Sequence, residues 1–211
     1  MKPIRVLVLI YFLLALRAMV SLAEQFTPDT GLIASIEGKV YLNEKSVELS
    51  ADPVHVYANS IVRTEDGRAE VRLAGGVSLF LGENSSFKLI PNSPYNFSRL
   101  EPLEGSVVIA TGELGSLLEC ENQVTLSDSG LYRFDVINDP PGPDQMWCGF
   151  KVYKGAAAVP LATVISVLTR GKATTLNLTC GDHAGYWTFD PEQADSLDNW
   201  SRQRIRLRRA Q

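Results

Sequence analysis

Two histidines, three cysteines and 24 acidic residues are the groups through which this 211-residue chain could perform chemistry. His55 stands in PVHVYAN and His183 in CGDHAGYW, with no H-x-H or H-E-x-x-H arrangement around either. Metal sites in β folds gather several imidazoles and carboxylates at one point, so neither a metal nor a cofactor is expected. Cys120, Cys148 and Cys180 are 28 and 32 residues apart, which fits no zinc pattern. In an exported chain they are expected to form one disulfide, its pair left open, and to leave one thiol. A catalytic thiol needs a histidine in a recognisable context, and neither histidine is in one. Glu101 with Glu104, or Asp182 with Asp190, are carboxylate pairs of the kind a glycosidase employs. A chain this rich in acids offers many such pairs, and solvated surface acids are the simpler reading. No G-x-S-x-G elbow, phosphate loop or dinucleotide glycine pattern occurs between a strand and a helix.

Recognition is the chemistry that remains. Tyr95 and Phe97 lie in IPNSPYNFSRLEP, where Pro91 and Pro94 prevent pairing as an interior strand, so this loop is the expected exposed aromatic site. Five arginines, Arg202, Arg204, Arg206, Arg208 and Arg209, crowd the last ten residues. In DPEQADSLDNWSRQRIRLRRAQ acids come early and arginines late, which complements a helix dipole, and Asp190 with Pro191 reads as a helix start. Leu197, Trp200, Leu207 and the stem of Arg204 form the expected apolar stripe. Two uses of such a helix stay open: packing on a β body with a solvated basic face, or contact with an anionic lipid or glycan surface.

At the other end, Lys2 and Arg5 precede the apolar run Val6 to Leu16, and Ser21-Leu22-Ala23 offers small residues at a cleavage site. Residues 1–23 read as a secretory signal peptide, with an uncleaved inner-membrane anchor as the alternative. Export to the periplasm or medium is therefore expected. Without the leader, 17 basic residues face 24 acidic ones, a formal charge of -7 that does not suit nucleic-acid binding by the body as a whole.

Between these ends the pattern is that of strands. In the run from Ile61 to Ile90, Ala69, Val71 and Leu73 alternate with polar residues, as do Val77, Leu79 and Leu81, then Phe87 and Leu89. Asp66-Gly67, Gly75-Gly76 and Gly82-Glu83-Asn84-Ser85 separate the runs, and Asp66-Gly67 suits a two-residue hairpin. An antiparallel meander is expected, with Phe80 as an apolar exception on the polar phase. A charged residue and a glycine open several strands, at Glu37-Gly38, Glu104-Gly105, Lys154-Gly155 and Arg170-Gly171, where a positive φ would serve a bend or bulge. This loose repetition suggests two β units, 24–112 and 113–182, followed by a helical basic tail, 183–211.

These residues resemble the FecR family of extracytoplasmic domains. The matched positions are Gly31, Gly38 and Val40, then Ile61 to Leu73 with Thr64, Gly67 and Ala69, then Gly76, Leu79, Leu81, Ser85, Leu89, Leu103 and Gly105. The later part is similar to the second half of some exported FecR-domain proteins, through Gly130, Tyr132 and Arg133, then Val152, Gly155, Ala157 and Val159, then Leu197, Trp200, Ser201 and Arg204. Every position of the first match is glycine, small or apolar, so the resemblance speaks for fold before function. It implies an all-β protein: an antiparallel β-sandwich or roll-like FecR-type domain, a second β unit, and a C-terminal α-helix.

Family namesakes carry a cytoplasmic segment that controls a sigma factor, and no counterpart is expected ahead of the apolar run. The function expected from residues and resemblance together is non-enzymatic binding of an envelope protein or glycan, with peripheral membrane contact through the arginine-rich tail. A sensor acting through a separate membrane protein and a polysaccharide-acting enzyme are the alternatives.

Overall fold

A computed structural model describes residues 30–49, 52–90, 99–112, 119–120, 124–127, 129–137, 147–161, 164–177 and 183–209. The leader 1–23, the loop holding Tyr95 and Phe97, and Cys180 lie outside the described residues, as do the side chains of Cys120 and His183. Among the described residues no helix is long and apolar enough to cross a membrane.

The glycines dictate how the strands are laid down. Strand β1 (Thr30–Glu37) turns at Gly38 into β2 (Val40–Leu42), which belongs to a different sheet. Gly38 has φ +70°, and a Cβ there would lie 2.1 Å from the Asp66 carbonyl oxygen, so no other residue fits the corner. After β3 (Lys45–Ser46) and β4 (Val54–Tyr57), β5 (Ile61–Thr64) returns through Asp66-Gly67 to β6 (Arg68–Leu73) in the first sheet. Strands β7 (Ser78–Leu81), β8 (Ser86–Ile90), β9 (Arg99–Glu104) and β10 (Ser106–Ala110) repeat the exchange, with the last switch at Gly105.

The expected meander is thus corrected. Strand β6 does pair with β7 across Gly75-Gly76, but β5 and β6 occupy opposite layers, so Asp66-Gly67 is an arch and not a hairpin. A hairpin and an arch both keep alternate residues inward, and alternation alone cannot separate them.

The chain continues through β11 (Glu119–Cys120), β12 (Thr125–Leu126), β13 (Leu131–Ile137), β14 (Trp147–Lys154), β15 (Ala156–Leu161), β16 (Val164–Thr169), β17 (Lys172–Asn177) and β18 (His183–Thr188). Gly155 and Gly171, at φ +86° and +79°, again mark exchanges between layers. The first sheet runs β18-β17-β14-β13-β10-β7-β6-β1-β4 and the second β16-β15-β12-β11-β9-β8-β5-β2-β3. Strands β1 to β10 fill one half of each sheet and β11 to β18 the other, joined where β10 pairs with β13 and β9 with β11. All described pairings are antiparallel except the short one between β9 and β11. Among the described residues the fold is an all-β sandwich with no closed barrel and one C-terminal helix.

One apolar core fills the space between the sheets. Val71, Leu79, Leu81, Phe87 and Leu89 point into it as the alternation requires, and Phe134 and Phe150 pack 4.7 Å apart in its second half. Gly130 leaves room for the Tyr132 ring, whose hydroxyl donates to the Ala156 carbonyl at 2.8 Å and so fixes the Gly155 corner. Cys148 is buried in the same core.

Helix α1 (Ser196–Arg209) covers the outer face of the first sheet. Leu197 and Trp200 are buried against Phe80, Val108 and Ala110, with Phe80 and Trp200 edge to face at 5.8 Å. Phe80 breaks the alternation of β7 because this strand is covered on both faces. The stripe departs from expectation at one place: Leu207 is 52% exposed, and Ile205 packs instead. The contact line follows Leu197, Ser201, Arg204 and Arg208, spaced at a helical repeat.

The helix also starts later than Asp190. The Asp195 carboxylate accepts the Asp198 backbone N–H at 2.9 Å, while the Asp198 carboxylate accepts that of Asp195 at 3.2 Å, a reciprocal capping box. Asp190 instead accepts the Glu192 N–H at 2.9 Å and closes a turn, the local role its short carboxylate shares with a cap.

Candidate binding site on the basic helix

The arginines of α1 divide by direction. Arg204 Nε donates to Glu70 Oε2 at 2.8 Å, and Arg72 Nε donates to Glu70 Oε1 at 2.9 Å. Glu70 is 2% exposed on the outer face of β6, so this carboxylate is held between two guanidinium groups. Arg208 Nη1 donates to Ser78 Oγ at 2.6 Å. Trp200 Nε1 donates to Glu37 Oε1 at 2.6 Å, adding a tie to β1. These bonds fasten the helix to the sheet. Arg202 donates to the Pro191 carbonyl at 2.7 Å and sits 5.5 Å above the Tyr153 ring. Arg206 is exposed and makes no ion pair among the described residues. The Arg209 side chain lies outside the described residues, as do Tyr95 and Phe97, so those three expectations receive no structural account.

The start of α1 is held by a second cluster. Arg133 on β13 donates through Nε to Asp135 and through Nη1 to Asp195, both at 2.6 Å, and lies 3.2 Å from Asp198. Tyr153 donates its hydroxyl to Asp198 at 3.0 Å, and Lys151 reaches Asp135 at 3.1 Å. Burial opposes the charge on Arg133, but Asp135 and the bonds to it and to Asp195 outweigh burial and hold its proton more firmly than usual. Burial also opposes ionisation of Asp195, yet the Asp198 N–H and Arg133 prevail and lower its pKa below the ordinary carboxylate range. Burial, then the Asp198 carboxylate, push the Tyr153 hydroxyl up. A cleft of about 290 Å³ opens beside this cluster, lined by Arg133, Lys151, Asp195 and Asp198, which are paired within the cluster, and by Asp190.

A second concavity, of about 210 Å³, lies beside the last turns of α1. Lys154, Arg202, Arg206 and Arg208 contribute its positive charge, and among the described residues no carboxylate lines it. Thr111, Ser129 and Gly130 form its polar floor, and Thr111 is already satisfied: Oγ1 donates to the Ser127 carbonyl and accepts the Gly130 N–H, both at 2.7 Å. Ala110, Leu131 and Ile205 supply an apolar wall. Lys154 is exposed and, like Arg206, makes no ion pair among the described residues. Such an arrangement attracts an anion.

Of the sequence-predicted residues, the structure brings Arg202, Arg206 and Arg208 to this groove and turns Arg204 to Glu70. Lys154 and Thr111 join them from the ends of distant strands. Only the Lys154-Gly155 corner, recognisable as a bend, marked one of those ends in the sequence. Elsewhere, His55 is exposed on β4, and Glu101 meets Lys88 at 3.9 Å. Among the described residues no group of three His, Cys, Asp or Glu could hold a metal ion. Asp182, half of one expected carboxylate pair, lies outside the described residues.

No family model matches the chain, and no curated protein sequence matches it. Two crystal structures of a candidate anti-sigma factor from Parabacteroides distasonis are similar at 12% identity, with TM-scores of 0.48 and 0.47. Each comparison covers 63% of this chain and 61% of that one, so the likeness spans about three fifths of the protein it is compared with.

Proposed function

We propose that this is an exported, FecR-like, non-catalytic protein that binds a protein or polymer partner in the bacterial cell envelope, using the basic helix and the groove beside it. One observation carries the reading. On an acidic chain, Lys154 and Arg206 come from different elements to one concavity with no carboxylate among the described residues that line it, and neither is spent on an ion pair among those residues. Arg204, by contrast, is spent on the buried Glu70 carboxylate. The strands supply a rigid frame, and the α1 bonds hold the arginine side of the groove in place. The leader reading and the family resemblance support the compartment.

The test is affinity capture with the full chain, exported through its own leader and recovered from envelope extract, with mass spectrometry of bound protein and glycan. A defined partner lost at high salt supports the reading. A discrete membrane receptor as that partner would point to a sensor role. Capture of nothing above a charge-matched control would refute binding.

A further inference from the structure

Resting on this binding reading, we infer that the groove beside the last turns of α1 is a docking site for an acidic peptide segment of a partner protein, one that inserts an aliphatic side chain between its carboxylates.

Four features select this occupant. First, the described rim is cationic, with Lys154 at the end of β14 and Arg206 on α1 and no carboxylate among the described lining residues, so the occupant is anionic. Second, the wall formed by Ala110, Leu131 and Ile205 is aliphatic, and leaving it wet would waste apolar surface that a side chain can cover. Third, no aromatic ring is among the described residues that line the groove, so they offer no stacking platform of the kind a sugar would use. Fourth, Arg204 and Arg208 are committed to Glu70 and Ser78 on the sheet, so the arginines do not form one outward plane as a membrane-binding face requires. The volume of about 210 Å³ falls below the range of roughly 300–1,000 Å³ typical of small-molecule sites, and suits a side chain with its flanking backbone.

The probe is a capped, fluorescently labelled acidic pentapeptide with a central leucine, titrated by anisotropy against the full protein. Vesicles containing anionic phosphatidylglycerol serve as the competing class. Binding is expected at low salt, weakened about tenfold by Lys154→Glu with Arg206→Glu, as two reversed surface charges imply. Replacing the central leucine by alanine should weaken it by a similar factor, and amidated carboxylates should abolish it. Both residues are exposed, and the milder Lys154→Gln with Arg206→Gln guards against misfolding, checked by an unchanged thermal transition.

No binding at about 1 mM peptide, equal binding by both variants, or indifference to the leucine would each overturn the inference. So would vesicle binding that the variants abolish while the peptide stays unbound. Envelope capture repeated with the Lys154→Glu, Arg206→Glu protein separates the two levels. A partner kept by that protein leaves the binding reading standing and removes the groove; capture of nothing by either protein removes the binding reading, while the titration still decides the groove.

Discussion

Replacing Trp200 by alanine tests how firmly α1 belongs to the fold. The indole is 7% exposed, meets Phe80 edge to face at 5.8 Å, and donates to Glu37 at 2.6 Å. An aromatic side chain of this kind buries about 150–250 Å², and at about 25 cal/mol per Å² that gives about 4–6 kcal/mol for full transfer from water. Truncation of buried Phe or Trp to Ala costs about 3–5 kcal/mol in folded proteins, and loss of the indole hydrogen bond contributes about 1 kcal/mol within that range. The expectation for Trp200→Ala is therefore a loss of about 4 kcal/mol. Trp200→Phe keeps the ring against Phe80 and should lose about 1–2 kcal/mol. Urea unfolding followed by far-ultraviolet circular dichroism reads both values, provided the slope of the transition is unchanged. A loss below about 1 kcal/mol for Trp200→Ala would show that the helix does not pack on β7 as described.

Three further outcomes are expected. Gly105→Ala should destabilise by about 2–4 kcal/mol, because Gly105 has φ +70° and its Cβ would lie 2.4 Å from the Asn84 carbonyl oxygen; a thermal transition within a degree of the parent would refute the corner geometry. Glu70→Gln should lose about 2–3 kcal/mol by leaving Arg204 and Arg72 without their shared anion, and in the Arg204→Ala background the loss should shrink; equal losses in both backgrounds would mean the pair is uncoupled. Because the Asp195 pKa is lowered in the folded protein, the stabilisation from its charge is complete above the ordinary value near 4 and fades as pH falls below it. The stability gap between the parent and Asp195→Asn should thus narrow as pH falls below about 4, and a gap independent of pH would refute the contacts of Asp195 with the Asp198 N–H and Arg133.

The inward phase of Val71, Leu79, Phe87 and Leu89 was legible because alternation follows directly from strand geometry. So were the glycine bends at Gly38, Gly105, Gly155 and Gly171, all of which adopt positive φ. That these bends exchange layers was not legible, since the arch at Asp66-Gly67 preserves the alternation a hairpin would have. The helix showed in its charge order, but its start did not, because Asp190-Pro191 and Asp195 present similar capping chemistry and only the Asp198 contact decides between them. The arginine cluster was plain; its division was not. Glu70 and Ser78 lie more than a hundred residues upstream of Arg204 and Arg208, and no local pattern announces such a pairing.

Every described strand precedes α1 in the chain, and that order matters while the protein is being made. A polypeptide delivered N-terminus first can close its sandwich while Phe80 and Val108 still face water and Glu70 still waits for Arg204. During that interval the back of the first sheet is a bare apolar strip, the kind of surface on which partly finished chains stick to one another. A pause or premature stop just ahead of Ser196 would yield an adhesive sandwich and not an unfolded chain. The helix therefore acts in time as well as in space, as the segment whose arrival ends the period of vulnerability.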